Sequence, residues 1–428
     1  MSTAPSLVRG IKRWEIVGLS INDVIGSGIY LLPAAAAGLL GTWSTAAVAL
    51  AGALVGLLVL CFAEASTHFD EAGGAFLYTR EAFGPFIGFQ VGWMTWLARI
   101  ASVASLSNGL ALAVGFLWAD AATGWLRVAT ISVTLGVLTW INVVGVKAGA
   151  RAAVVLTVAK LVPLAAFVVI GAWYLDPSRL VGRGLPEGTD FGEAALLLLF
   201  AYAGFENTPA AAGEYQNPRR DVPVALLISM STITAIYCLV QAVALGTLPE
   251  LAASATPLAD AATRFLGGWG GLLMTVGAVV SIVGNIGNTT LMGPRYLYAL
   301  AADGYGPRVF AAVHRRYQTP AVAICTQSAL ALVLALSGSF VQLAMLSVIA
   351  RLATYIGTAA AVPVLRRRMP RRDDAFRLPG GPLVPVAALT LSLVFLASTS
   401  VANLWAGAAA LGVGVVIYRF RNRERLDG

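Results

Sequence analysis

Ile21-Asn22-Asp23-Val24-Ile25-Gly26-Ser27-Gly28-Ile29-Tyr30-Leu31-Leu32-Pro33 lies inside an apolar run covering residues 15–40. A helix that crosses a hydrocarbon core needs about 20 such residues, so the run is long enough to span. Gly-Ser-Gly in its middle is a weak point, because each Gly costs a helix about 1 kcal/mol against Ala. A second run, residues 191–213, carries Phe200-Ala201-Tyr202-Ala203-Gly204-Phe205-Glu206-Asn207-Thr208-Pro209. It too sets a glycine, a carboxylate and a proline near its middle, and Pro209 removes a backbone donor. Both runs are expected to be helices interrupted near mid-membrane.

Composition sets that membrane context. The chain has 428 residues, of which 58% are hydrophobic and 12% charged, where a soluble domain carries about 25% charged residues. Apolar runs recur at 15–40, 44–66, 85–117, 127–146, 151–175, 191–213, 222–247, 269–299, 319–336, 338–363, 383–400 and 402–419, giving about twelve transmembrane helices. The net charge of +8 does not point to nucleic acid, because the basic residues sit in the short connections. With both termini assigned to the cytoplasm, 22 Lys and Arg fall on that side and 4 on the other, and Arg99, Lys160 and Arg351 lie within spans. That bias predicts cytoplasmic termini by the positive-inside rule. No cleavable signal pattern precedes the first run. Cys61, Cys238 and Cys325 lie inside spans and are expected to be packing residues, with no metal cluster or disulfide framework. The four longest connections, 176–190, 248–268, 300–318 and 364–382, are too short to bury a core of their own.

The first and sixth spans open the two halves of a five-plus-five arrangement: residues 15–175, then 191–363, with two further helices at 383–419. Interrupted segments at matching positions in two halves mark a solute site in transporters. Unwinding frees backbone groups that lipid cannot satisfy, and a bound zwitterion can. The amides of Gly26, Ser27 and Gly28 suit a carboxylate, aided by the half-helix dipole. The carbonyls of Val24, Phe200 and Ala203 suit an ammonium. The competing explanation is close helix packing through small residues; the pairing of two breaks favours the site.

These residues resemble the amino acid–polyamine–organocation transporter superfamily. Gly26-Ser27-Gly28-Ile29 with Pro33 looks like its first-helix signature. Gly204-Phe205-Glu206, then Gly213-Glu214, Asn217-Pro218, Arg220 and Pro223, looks like its sixth-helix and loop signature. Glu64-Ala65, Gly73-Gly74, Tyr78 and Phe83-Gly84, and later Asp303-Gly304 with Pro307 and Pro320, extend the resemblance over residues 10–370. It implies an all-α membrane protein with two inverted five-helix repeats plus two C-terminal helices, in the inner or plasma membrane. It also implies alternating access around a midplane amino acid site, with Gly204 at the sixth-helix break. Ser27 and Gly28 would hold the carboxylate, and the carbonyls of Val24, Phe200 and Ala203 the amine. Thr289 and Thr95 stand where arginine-carrying members place large aromatics, which argues against a stacked guanidinium cargo.

Three charges inside spans, Lys160, Glu206 and Arg99, stay open to two readings each. Lys160 is either a proton-coupling group, since a desolvated lysine can gain and lose its proton, or a fixed structural ammonium. The resemblance places it where sodium-coupled relatives bind sodium, with Asn22 and Asn285 on the helices lining that site. Its ammonium is expected to bond carbonyls of the first and eighth spans. Glu206 is either a gate or proton-linked acid, or a carboxylate bonding the freed backbone; Asp23 is a second acid at the first break. Arg99 either reads a second carboxylate on the cargo or pairs internally with Asp23 or Glu206. Arg351 is expected to be internally paired.

No nucleophile–base pair, metal spacing or phosphate loop supports an enzyme, and Gly-Ser-Gly lacks the strand–turn–helix context of a hydrolase elbow. A channel should show a pore-lining repeat in several subunits, and a sensor would bind without flux. The expected partners are an amino acid, protons and the lipid bilayer, with no cofactor and no nucleic acid, in a monomer or homodimer.

Overall fold

The computed structural model describes residues 10–71, 73–144, 150–181, 191–369, 376–378 and 380–419, with the side chains of 150–156 excluded. Several cations counted for orientation, among them Arg9, Lys147, Arg183 and Arg371, lie outside the described residues. The described residues are helical almost throughout. Helices α1 (Arg13–Val24) and α2 (Gly28–Leu40) form the first crossing. Then come α3 (Ser44–Ser66), α4 (Ala75–Phe83), α5 (Pro85–Gly115), α6 (Gly124–Val144) and α7 (Ala150–Gly171). Helix α8 (Phe191–Tyr202) is continued by a 3-10 segment, Phe205–Glu214. The rest is α9 (Pro218–Thr247), α10 (Pro257–Leu266), α11 (Gly268–Ala302), α12 (Ala321–Ser337), α13 (Phe340–Arg368), α14 (Leu383–Ala397) and α15 (Val401–Arg419).

Among the described residues, eight segments are long and apolar enough to cross a membrane, one of them the joined pair α2–α3. Four expected spans fall short of that test for identifiable reasons. The first and sixth are broken, so their α-helical pieces are only 12 or 13 residues long. Helices α12 and α14 have 17 and 15 residues, at or below the lower end of the spanning range. Taking each broken pair as one crossing recovers the twelve expected from the sequence.

Helix ends follow the local chemistry. Pro85, Pro218 and Pro257 each stand at a first helical turn, where a missing N–H is harmless. The turn at residues 337–339 hands over to α13 through a capping box, with Ser339 and Gln342 bonding each other's backbone N–H. Two helices were not expected: α4, and α10 inside the connection 248–268. Helix α10 buries Leu258, Ala259, Ala261, Ala262 and Phe265 along one face; this apolar face is shorter than a span, so apolar length alone does not mark it. Cys61 is buried and Cys238 partly so, but Cys325 is exposed. The expectation that all three pack inside therefore fails for Cys325, which sits on an outward side of α12.

Helices α5 and α13 are the buried centre and pack along each other, whereas α15 exposes most of its length. The sixth crossing lies against this centre through α8 on α13, while α1 packs on α7 and α9, and α2 packs on α8. The chain beyond the sixth crossing folds back onto the N-terminus, where Gly10 and Ile11 donate to the Glu214 carbonyl and Gln216 donates to Ile11.

Candidate functional site

The first crossing unwinds over Ile25, Gly26 and Ser27, where the two glycines weaken the helix. Its carbonyls are capped from outside. The Lys160 ammonium, fully buried, donates to the carbonyls of Asn22 at 3.0 Å and Ile25 at 2.8 Å. Ser281 donates to the same Ile25 oxygen, and Asn285 Nδ2 to the Asp23 carbonyl at 2.9 Å. Tyr237 Oη donates to Ala201 at 3.0 Å and reaches Val24 at 3.4 Å. The amides are treated differently. Among the described residues no acceptor stands against the N–H of Gly26, Ser27 or Gly28. Three N–H groups at the start of α2 are thus left for an anion, at the positive end of that helix.

The sixth crossing breaks at Ala203–Gly204, with Gly204 at φ 133°, a conformation that glycine adopts freely. A Cβ there would lie 2.7 Å from the Asp23 carbonyl and 3.0 Å from Val24 Cα. The two breaks are therefore packed directly on each other. Gly28 also serves packing, since a Cβ on it would stand 3.0 Å from Ala201 Cα. Close packing and an exposed backbone coexist here, because removing side chains produces both.

Glu206 is the hub of the sixth break. Its Oε2 accepts from Gly204 N at 2.9 Å and from Tyr355 Oη at 3.3 Å. Its Oε1 contacts Arg351 Nη1 directly, and Arg99 Nη2 stands 3.5 Å away. All four side chains are buried. Arg351 is held further by Ser102 Oγ at 2.7 Å and Ser347 Oγ at 3.2 Å. Asp23 is bracketed by two amides: Asn288 Nδ2 donates at 2.6 Å, and Asn207 Nδ2 contacts the other oxygen.

One cavity joins these parts. It is lined by Asp23, Val24, Gly26, Ser27, Gly28, Arg99, Phe200, Ala203, Gly204, Asn285, Thr289 and Arg351, with Ser102, Leu106 and Ala201 completing the wall. Its volume is about 20 Å³, room for a water but not for an amino acid. A larger vestibule of about 370 Å³ lies toward the N-terminal end, between Phe76, Glu214, Arg295 and Tyr296. Asn207 lines the vestibule and holds Asp23, which lines the cavity, so the Asn207–Asp23–Asn288 bridge separates the two spaces.

Of the fourteen candidate residues, eleven line the cavity; Lys160, Asn22 and Glu206 stand behind it. Three details differ from expectation. Lys160 bonds carbonyls of the first crossing alone, while α11 contributes Ser281 and Asn285 as further donors to that crossing. Asn22 offers its backbone oxygen, and its side-chain Oδ1 is buried without a partner. The Phe200 carbonyl is already taken by Ala203 N at 3.1 Å, leaving Val24 and Ala203 as the freer acceptors. Asn207, Asn288, Tyr237, Ser281 and Ser102 were not anticipated. Polar residues inside apolar runs are the signal that pointed to them, although the sequence does not say which break each one reaches.

A protein-family model described as amino acid permease matches residues 11–421. The chain is 31% identical over 424 residues to the serine/threonine exchanger SteT of Bacillus subtilis (strain 168), covering 95% of each protein. It is 26% identical to the branched-chain amino acid permease BcaP of the same organism, covering 98% of this chain and 94% of that one. It is also 26% identical to a methylthioribose transporter of that organism, covering 99% and 95%. With two interrupted crossings meeting at a central cavity and a family match over nearly its whole length, this multi-pass membrane transporter belongs to the amino acid permease family.

Proposed function

We propose that this permease carries an α-amino acid by alternating access about the two breaks, coupled to protons through Lys160. The observation that carries the cargo reading is the row of acceptor-free amides at Gly26, Ser27 and Gly28, on the wall of a cavity shared with the Ala203 and Val24 backbone. The amides would bind the carboxylate and the carbonyls the ammonium. The five-helix halves, residues 15–175 and 191–363, would rock as inverted repeats, with both termini in the cytoplasm. The vestibule then opens inward, and the Asn207–Asp23–Asn288 bridge is the barrier between site and cytoplasm.

Lys160 supports the coupling reading because its ammonium holds two carbonyls at the first break, where a bound cation would otherwise sit. Protonated, it ties α7 to α1; deprotonated, it releases that tie. A proton and a substrate that bias the same element are thermodynamically coupled. Exchange of one cargo for another is the second reading, favoured by the similarity to a serine/threonine exchanger.

A thermal-shift screen of purified protein against amino acids, polyamines and nucleobases, followed by uptake into proteoliposomes, tests both. An α-amino acid should stabilise the protein and be taken up saturably, while its decarboxylated amine should not compete. Uptake should follow an imposed inward proton gradient without sodium, and Lys160→Gln should lose that response while still binding cargo. Strict sodium dependence, or gradient-driven accumulation by Lys160→Gln, would remove proton coupling. Flux that requires cargo on both sides would establish exchange.

A further inference from the structure

We infer that the cavity selects an amino acid whose side chain carries a second negative charge, read by Arg99. This rests on the amino acid reading above and narrows it. Two arginines meet one carboxylate at the centre of the protein: Arg351 and Arg99 both turn to Glu206 Oε1. They are not equivalent. Arg351 is in contact with that oxygen and has Ser102 and Ser347 on its other nitrogens. Arg99 is left with a 3.5 Å approach to an oxygen already occupied, and its Nε is buried with no acceptor. Its side chain is only 4% exposed and lines the cavity.

Among the described residues, no other charged group nearby is bonded to it. Both Asp23 oxygens are taken by amides of Asn207 and Asn288. Lys160 is engaged with carbonyls of the first break, and Tyr355 donates to Glu206. The α5–α13 wall therefore presents a buried guanidinium with unused donors, two arginines sharing the one carboxylate of Glu206. Arg99 shares its one counter-ion with Arg351, and a buried charge that is only half compensated is unfavourable. A carboxylate completes it through charge-assisted bonds in the fork geometry that arginine provides. The α-carboxylate has its own place at the Gly26–Gly28 amides, so the group that reaches Arg99 is the one on the side chain.

The test uses isosteric pairs that differ in charge alone. L-glutamate against L-glutamine, and L-aspartate against L-asparagine, are compared as competitors of uptake by the full chain in proteoliposomes. In the wild type one acid should compete at least about tenfold better than its amide. Arg99→Gln should reverse that order, and Arg99→Lys should keep its sign. Equal competition by acid and amide, or preference for the amide, overturns the inference while leaving the amino acid reading intact. So does an Arg99→Gln protein that still prefers the acid. If Arg99→Gln fails to fold, the wild-type comparison decides by itself. If no α-amino acid competes at all, the reading beneath the inference fails instead.

Discussion

The two breaks do the same geometric work with opposite chemistry. At the first, donors from other helices close most of the carbonyls: Lys160, Ser281 and Asn285 cover the oxygens of Asn22, Asp23 and Ile25, while Tyr237 only reaches that of Val24 at 3.4 Å. What stays open is a set of N–H groups. At the sixth, an acceptor closes an N–H: Glu206 reaches back to Gly204. The Ala203 carbonyl stays open there. The first crossing resumes as an α-helix at once, while the sixth continues as a 3-10 segment to Glu214. A cavity with unsatisfied donors on one side and an acceptor on the other matches the polarity of a zwitterion. Each break is held from behind by groups of the same polarity as those it leaves open in front: donors behind the first, an acceptor behind the sixth.

The largest effect should come from removing the acceptor that holds the sixth break. Glu206→Ala leaves Arg351 and Arg99 buried without a carboxylate, which costs about 3–5 kcal/mol. Poor recovery of monodisperse protein and a large drop in Tm are expected; an unchanged Tm would show that the break is held by packing alone. Gly204 comes next. An alanine there combines the strained φ with a close approach to Asp23, and the backbone strain alone is about 1–3 kcal/mol. Gly28→Val should act on cargo more than on folding, because the obstruction falls at the open amides as well as at Ala201. Thermal stability and saturable uptake measured on both variants separate these outcomes; equal loss of folding in both would erase the contrast between the breaks. The smallest effect is expected for Tyr237→Phe, which removes one bond to Ala201 and a longer one to Val24. It should cost about 0.5–1.5 kcal/mol, read as a modest fall in Tm with uptake retained. A gain in affinity for an amine-bearing cargo would sharpen the picture, because it would mean that Tyr237 competes for the Val24 carbonyl.

The sequence by itself determined that the chain spans a membrane repeatedly, where two of its crossings break and which residues supply the exposed backbone. Those properties are local: apolar length decides spanning, and Gly-Ser-Gly or Gly204 weakens a helix wherever it is placed. The short helix α10 escaped because its apolar face is local too, but shorter than a span. Tertiary structure alone decided the partners. Lys160 and Asn22 are 138 residues apart, and Arg351 and Glu206 are 145 apart. Nothing in the spacing chose Glu206 over Asp23 as the partner of Arg99, since both carboxylates stand beside a break. Packing of α5 against α13 brought two arginines to one glutamate, while asparagines from the sixth crossing and α11 claimed Asp23. Which buried charges meet, and which is left over, depends on how the helices rotate about their axes as they pack, and that emerges only when all of them close around the same centre.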